Sequence, residues 1–243
     1  MNLSEELLEA FKGFSGAHGQ TDVSQERTAG KQKAKSFIVR NPLTLELIEG
    51  HISGKKGIGA IPINEENKCR FGALDIDEYP LDHNKLIDKL EELKVPCIVC
   101  RSKSGGAHIF FFFKEWMNAG DFRDKAAEIS SALGHGRCEI FPKQEQILVE
   151  RGDVGNFINL PYFDSEQTLR YAIIRREGAY VEASLSEFIE EIQKVKTLPK
   201  DFLTLPIGGP VDLLPNYIPC LRTKLAIGVF EGERNRTAFQ LGV

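Results

Sequence analysis

No apolar run in this chain approaches the ~20 residues that a membrane-spanning helix needs, so no segment reads as a transmembrane span. A secretory leader is missing as well. The opening MNLSEELLEAFKGF is acidic and amphipathic, where a leader would be basic and then apolar. These absences predict a cytoplasmic protein with no membrane partner. A disulfide framework is also excluded, because the five cysteines (Cys69, Cys97, Cys100, Cys138, Cys220) are odd in number and scattered, the pattern of reduced thiols. Cys97 and Cys100 have the spacing of a zinc half-site, yet no second pair or nearby His-x-x-x-His completes four ligands. The continuously apolar Val95-Pro-Cys-Ile-Val-Cys100 reads instead as a buried strand. The chain further lacks the basic excess of a protein held on nucleic acid by its overall field: its net charge is -4. Any such contact must be local. Basic clusters stand at Lys31, Lys33 and Lys35, at Lys55 and Lys56, at Arg101 and Lys103, and at Arg175 and Arg176.

What is present is a 243-residue sequence, 42% hydrophobic and 27% charged, enough for one large domain or two small ones with a real core. Residues 3–13 read as a short helix with Leu7, Leu8 and Phe11 on one side, and the Gly/Ser/Thr/Gln-rich stretch to Lys35 reads as a peripheral loop. Strands are expected at 36–40 and 58–63, with a helix over 43–52 between them. From residue 71 the order is strand (71–77), helix capped by Asp82, strand (97–101), turn (102–106), strand (107–113), helix capped by Asp121 and ending at Gly134, and strand (138–141). That order is the split β-α-β of an RRM/ferredoxin-like core. In that topology the first and third strands are central neighbours, which brings residues 75–77 beside His108. By parity His108 shares a face with Phe110 and Phe112. A strand-like run is expected over 169–175 and a helix near 186–195. Residues 198–219 look like a linker, and the closing EGERNRTAFQLGV reads as the start of a helical module that continues in a longer protein. The expected fold is therefore α+β: an N-terminal helix and flexible segment (1–35), a catalytic core joined to a smaller N-terminal α/β unit (36–195), and a linker with the start of a C-terminal module (196–243).

The chemistry concentrates at Asp75-Ile-Asp77, which closes the strand Phe71-Gly-Ala-Leu-Asp-Ile-Asp77. Alternate strand residues lie ~7 Å apart on one face, so the two carboxylates converge on a seat for a hard divalent cation, the kind that also takes phosphate oxygens. Two adjacent cations call for a third acid, and Glu139 is the candidate. Gly105 and Gly106 permit a tight turn whose N–H groups are free for phosphate, just before His108.

Asp75-Ile-Asp77, a glycine-rich turn leading to His108, and the later Glu139 in Cys138-Glu-Ile-Phe-Pro-Lys-Gln144, followed by Gly155-Asn-Phe-Ile-Asn-Leu-Pro-Tyr162, together resemble the archaeo-eukaryotic primase (primase-polymerase) superfamily, in the form found in phages and mobile elements. The resemblance covers residues 36–175. It implies Asp75, Asp77 and Glu139 as ligands of two divalent cations, Mg²⁺ or Mn²⁺, and His108 as a contact to the incoming triphosphate. Arg101, Lys103, Ser104, Gly105, Gly106, Lys143 and Asn159 become nucleotide- or phosphate-binding neighbours. Gly106 stands where many relatives carry serine, so a hydroxyl at that position is missing or is supplied by Ser104. The implied activity is template-directed nucleotidyl transfer, with single-stranded DNA template, primer strand and (d)NTPs as partners and a helicase or helical domain downstream. A metal-dependent phosphodiesterase or nuclease on the same fold, and a non-catalytic RRM-like single-strand-binding module, are the rival readings.

Overall fold

The computed structural model describes residues 2–28 and 31–207, the backbone alone at 23–28 and 31–34. Among the described residues it is an α+β protein of two antiparallel sheets and seven α-helices, none long and apolar enough to cross a membrane. The chain opens with α1 (Leu3–Ala10), whose first turn is closed by a capping box in which Asn2 and Glu5 exchange hydrogen bonds. β1 (His18–Thr28) and β2 (Lys31–Val39) form a hairpin, α2 (Leu45–Ile52) follows, and β3 (Gly57–Ala60) pairs with β1.

The larger sheet starts with β4 (Lys68–Ile76) and continues through α3 (His83–Glu92), β5 (Ile98–Arg101), β6 (Ala107–Asn118), α4 (Ala119–Leu133) and β7 (Glu139–Phe141). β8 (Ile158–Asn159) then joins the smaller sheet, and the short α5 (Ser165–Thr168) leads to β9 (Ala172–Arg176), β10 (Ala179–Glu182), α6 (Leu185–Val195) and α7 (Pro199–Leu203). The sheet orders are β2-β1-β3-β8 and β10-β9-β5-β6-β4-β7. β4 and β6 are neighbours, with Asp75 opposite His108, and β4 also pairs β7, with Asp75 opposite Glu139.

Parity divides the larger sheet into two faces. Phe71, Ala73, Phe110, Phe112 and Phe141 meet Leu7 and Phe11 of α1, Phe188, Ile189 and Ile192 of α6, and Ile58 and Ile158 of the smaller sheet. Leu74, Ile76, Ile109, Phe111 and Phe113 meet α3, α4 and Phe202 of α7. The four consecutive rings Phe110–Phe113 are no more than 1% exposed, which removes them as a base-stacking platform of the kind a single-strand-binding module needs.

Several expectations need correction. The N-terminal helix is not peripheral: the Phe11 ring lies edge-on to Phe71 (5.0 Å), Phe110 (5.2 Å) and Phe112 (5.4 Å). Its apolar stripe fills a gap over the larger sheet that the sequence alone did not show. The polar stretch before Lys35 is the β1–β2 hairpin and not a loop. α4 is capped by Asn118, whose side chain accepts from Gly120 and Asp121, so Asp121 sits in the first turn. β6 runs five residues past Phe113, to Asn118, and β4 ends at Ile76, leaving Asp77 just beyond the strand. Of the presumed linker, Pro199–Leu203 is helical and buries Phe202 between Phe111, Phe113 and Phe122, and Leu205 and Ile207 pack beside it; the part after Ile207 and the closing EGERNRTAFQLGV lie outside the described residues.

If α1 is part of the core, Phe11→Ala must cost as much as any large-to-small change there, about 3–5 kcal/mol. Urea denaturation will show it as a lowered midpoint with unchanged slope; a shift below ~1 kcal/mol would return α1 to the periphery.

Candidate active site

The end of β4 and the turn that follows β5 form one wall of a cleft of about 200 Å³, and the smaller sheet supplies the other. Asp75, Asp77, Arg101, Ser102, Lys103, Ser104 and His108 line it from the larger sheet; Asn159, Leu160 and Pro161 approach from β8, and Arg170 comes from the segment before β9. Thus Asp75, Asp77, Arg101, Lys103, Ser104, His108 and Asn159, named from widely separated parts of the sequence, share one concavity.

Asp75 is positioned by its rung across the sheet. Cys100, His108, Asp75 and Glu139 pair successively over β5, β6, β4 and β7 and therefore share a face. His108 Nε2 lies 3.4 Å from Asp75 Oδ1 without the alignment of a hydrogen bond, and that oxygen is buried with no hydrogen-bond partner. A buried carboxylate oxygen left unmet costs free energy unless something binds there. Asp77 is more open, and its Oδ1 accepts from the Tyr79 hydroxyl at 2.7 Å. Partial burial, then donation to Asp77, holds the Tyr79 hydroxyl above its usual range. The following residue, Glu78, pairs with His135 at 2.7 Å, tying this loop to the turn between α4 and β7.

Glu139 and Lys143 behave differently from expectation. The register puts Glu139 opposite Asp75, yet its carboxylate pairs with Lys143 Nζ at 2.7 Å and is more than half exposed. A lysine four residues on competes for the acid, and neither side chain lines the cleft. Among the described residues no three His, Cys, Asp or Glu side chains are gathered as a metal-holding group. The fit to a divalent cation thus rests on Asp75 and Asp77: two hard oxygen donors in one cleft, one of them orphaned, suit Mg²⁺ or Mn²⁺. The cysteines do not suit zinc: Cys100 and Cys97 pack into the cores on opposite faces of the larger sheet, and among the described residues neither joins a metal-holding group.

The turn after β5 is built by glycine. Gly105 has φ +94, and a Cβ on Gly106 would fall 2.1 Å from the Ile76 carbonyl oxygen. A serine at 106 therefore has no room beside β4, and the hydroxyls that face the cleft are Ser102 and Ser104. The Gly105 N–H is not free for phosphate, because it donates to the Ser102 carbonyl at 3.1 Å. Gly106 contributes its carbonyl, which accepts from the Ser102 N–H at 2.9 Å. Neither glycine is itself a lining residue. The Ser102 hydroxyl, by contrast, is buried without a partner.

Arg170 went unnoticed in the sequence, and it carries the strongest electrostatic signal in the cleft. It is 6% exposed, its guanidinium lies 5.1 Å from the centre of the Phe163 ring, and among the described residues no carboxylate pairs with it. Burial lowers its pKa to about 10. Lys103 is held below its usual range, first by burial and then by the charge of Arg170. Two cations pressed together beside two carboxylates form a wall that lacks its anion.

His51 holds the opposite rim. Its Nδ1 accepts from the Ile58 N–H at 3.0 Å, so Nε2 carries the proton and donates to the carbonyl of Pro161 at 2.8 Å. Burial, with Arg170 adding repulsion, lowers its pKa from 6.5 to about 4. The unfolded chain takes up a proton as pH falls through about 6.5, and the native state resists until about 4. Stability is therefore complete above about pH 6.5 and declines below it. The loss from about pH 7.5 to about pH 5 is expected to be ~2 kcal/mol, read as a falling urea midpoint. His51→Gln should flatten that part of the profile; an equally steep one would clear His51 of the role.

A paired-aspartate cleft with a histidine and a buried, unpaired arginine, set on the end of an antiparallel α+β sheet, has the build of a primase-type domain. The family described as TOTE conflict system, Archaeo-Eukaryotic Primase domain, matches residues 9–199, and the chain belongs to it. No curated protein matches the chain. Membership makes this a primase-related domain of the nucleotidyltransferase type, a kind that works on DNA and nucleotides and generally depends on divalent metal.

Proposed function

We propose that the domain joins nucleotides on a DNA template, making or extending primers from (d)NTPs. The observation that carries this reading is the charge layout of one cleft: an orphaned carboxylate oxygen on Asp75 shares it with a cationic wall made by the buried Arg170 and the more open Lys103. A nucleoside triphosphate with its cation has that polarity, and a neutral or purely anionic ligand does not. The strand order β5-β6-β4-β7, with α3 and α4 on one face, supports the split β-α-β reading of the catalytic core.

In this reading Arg170, Lys103 and Ser104 bind the β- and γ-phosphates, and Arg101 closes over the turn. His108, on the strand beside Asp75, donates to the triphosphate. Asp75 and Asp77 hold the divalent cations, which when bound lower the pKa of the attacking hydroxyl and neutralise the phosphates. The 3′-hydroxyl oxygen bonds to the α-phosphorus, the bond to the β-phosphate bridging oxygen breaks, and pyrophosphate leaves as the hydroxyl proton is released. Asn159, fixed by the Thr21 hydroxyl that donates to its Oδ1 at 2.9 Å, keeps its amide N–H groups for the nucleotide. Glu139 joins the ligand set only by exchanging Lys143 for a cation.

Residues 36–195 carry every candidate catalytic side chain and are the proposed catalytic portion, with α1 completing their core. We place the chemistry in copying of phage or mobile-element DNA, with a helicase or helical module as partner. The test is incubation of primed and unprimed single-stranded template with labelled NTPs or dNTPs and Mg²⁺ or Mn²⁺. Template-dependent product supports the reading. Shortened template without product would replace it with the phosphodiesterase.

A further inference from the structure

Two hydroxyls face the cleft, and burial separates them. Ser104 is exposed, so solvent can meet it. Ser102 is 6% exposed, and its hydroxyl has no hydrogen-bond partner. A hydroxyl taken out of water and left unmet costs free energy, which is recovered only when something binds there.

The backbone holds this hydroxyl in place. The Ser102 N–H donates to the Gly106 carbonyl at 2.9 Å, and the Ser102 carbonyl accepts from the Gly105 N–H at 3.1 Å. His83, the first residue of α3, donates from Nε2 to the same Gly106 carbonyl at 3.0 Å, so the turn is pinned from the helix as well. Cys100 pairs with His108, and His108 with Asp75; Ser102, two residues beyond Cys100, continues the face that carries Asp75. A Cβ on Gly106 would lie 3.2 Å from Ser102 Oγ. The hydroxyl therefore stands over the bare backbone of a glycine, in a notch on the catalytic face that any other side chain would fill.

What meets a hydroxyl there is a small acceptor. The cations of the cleft, Arg101, Lys103 and Arg170, have only donors to offer. An oxygen of an anion can accept from them and from Ser102 together. We propose that Ser102 is a nucleotide-contacting residue, its hydroxyl donating to a non-bridging phosphate oxygen seated over Gly106. The triphosphate as ligand rests on the nucleotidyl-transfer reading. Ser102 makes a bond whose desolvation was already met on folding, whereas the exposed Ser104 exchanges water for phosphate at a smaller net gain.

The experiment is calorimetric titration of the full chain with each NTP and dNTP and with inorganic tripolyphosphate, all with Mg²⁺, alongside urea denaturation. Ser102→Ala should bind the best triphosphate ~10-fold or more weakly, the scale of one hydrogen bond to a charged group. Ser104→Ala should weaken binding only ~2–3-fold. The loss in Ser102→Ala should persist with tripolyphosphate, which has neither base nor sugar. Its urea midpoint should equal or exceed that of wild type, because an unmet buried hydroxyl has been removed. Ser102→Cys refills the space with a weak donor and should stay near the alanine value. Wild-type affinity in Ser102→Ala, a loss confined to nucleotides, a lowered midpoint, or full recovery in Ser102→Cys would overturn the proposal. If wild type binds triphosphate but makes no polymer, and Ser102→Ala binds it more weakly, the polymerase reading fails and the contact stands. If wild type polymerises and Ser102→Ala binds as tightly, the contact fails and the reading stands. Absence of triphosphate binding by wild type overturns both.

Discussion

Replacing both aspartates, as Asp75→Asn/Asp77→Asn, is expected to lower templated incorporation by ~10³-fold or more, about 4 kcal/mol of transition-state stabilisation. The substitution keeps the shape of both side chains and removes only their charge. Stability should hold or rise, because Asp75 presents a buried oxygen that no hydrogen bond meets, and an uncharged amide there is cheaper to bury. Nucleotide binding separates this outcome from general damage. Without divalent metal, the variant should bind triphosphate more tightly than wild type, since two negative charges have left a cleft that keeps Arg170 and Lys103. With metal, the order should reverse. A variant that retains template-dependent product at the wild-type rate would remove Asp75 and Asp77 from the chemistry, whatever the family.

The parts of this site that were legible in the sequence are those governed by period and order. Asp75 falls opposite His108 because alternation fixes the face and the strand order fixes the neighbour, and both follow from apolar runs broken by capping residues such as Asp82 and Gly134. Register also reached Glu139, but register does not aim a side chain, and Lys143 one short turn away claims the carboxylate. The hairpin was invisible for the opposite reason. Beyond Thr21 it has no sheet to cover and hence no alternating apolar face to announce a strand. α1 shows its stripe of Leu7 and Phe11 plainly, yet a stripe does not say what it packs against, and here the partner is a sheet far along the chain, at Phe71 and Phe110. Phe202 lies in a stretch whose prolines suggested a linker, although Pro199 opens a helix, where a missing N–H costs nothing. Arg170 had no motif around it. A buried arginine becomes conspicuous only when burial is seen together with the absence of a carboxylate.

That absence makes Arg170→Leu the most informative single change after the aspartates. Affinity for nucleoside triphosphate is expected to fall ~10²-fold, about 2.7 kcal/mol, the scale of one or two charge-assisted hydrogen bonds. Arg170→Lys keeps the charge but loses the planar fork and the packing on Phe163, and should bind ~10-fold more weakly. A merely structural arginine would behave otherwise. Its removal would lower the unfolding midpoint, whereas removing an arginine that is 6% exposed and has no carboxylate partner should leave stability unchanged or raise it. His51 supplies a second readout. The charge of Arg170 helps hold its pKa near 4, so Arg170→Leu should raise that pKa toward the unfolded value. The window in which only the unfolded chain takes up the proton then narrows from its acid end, and the total loss of stability on acidification shrinks. Burial remains the larger cause, and the change should therefore be partial. Weakened triphosphate binding, undiminished stability and a less acid-sensitive fold form a combination that only an unpaired, ligand-seeking guanidinium produces; wild-type affinity in the leucine variant would place the missing anion elsewhere.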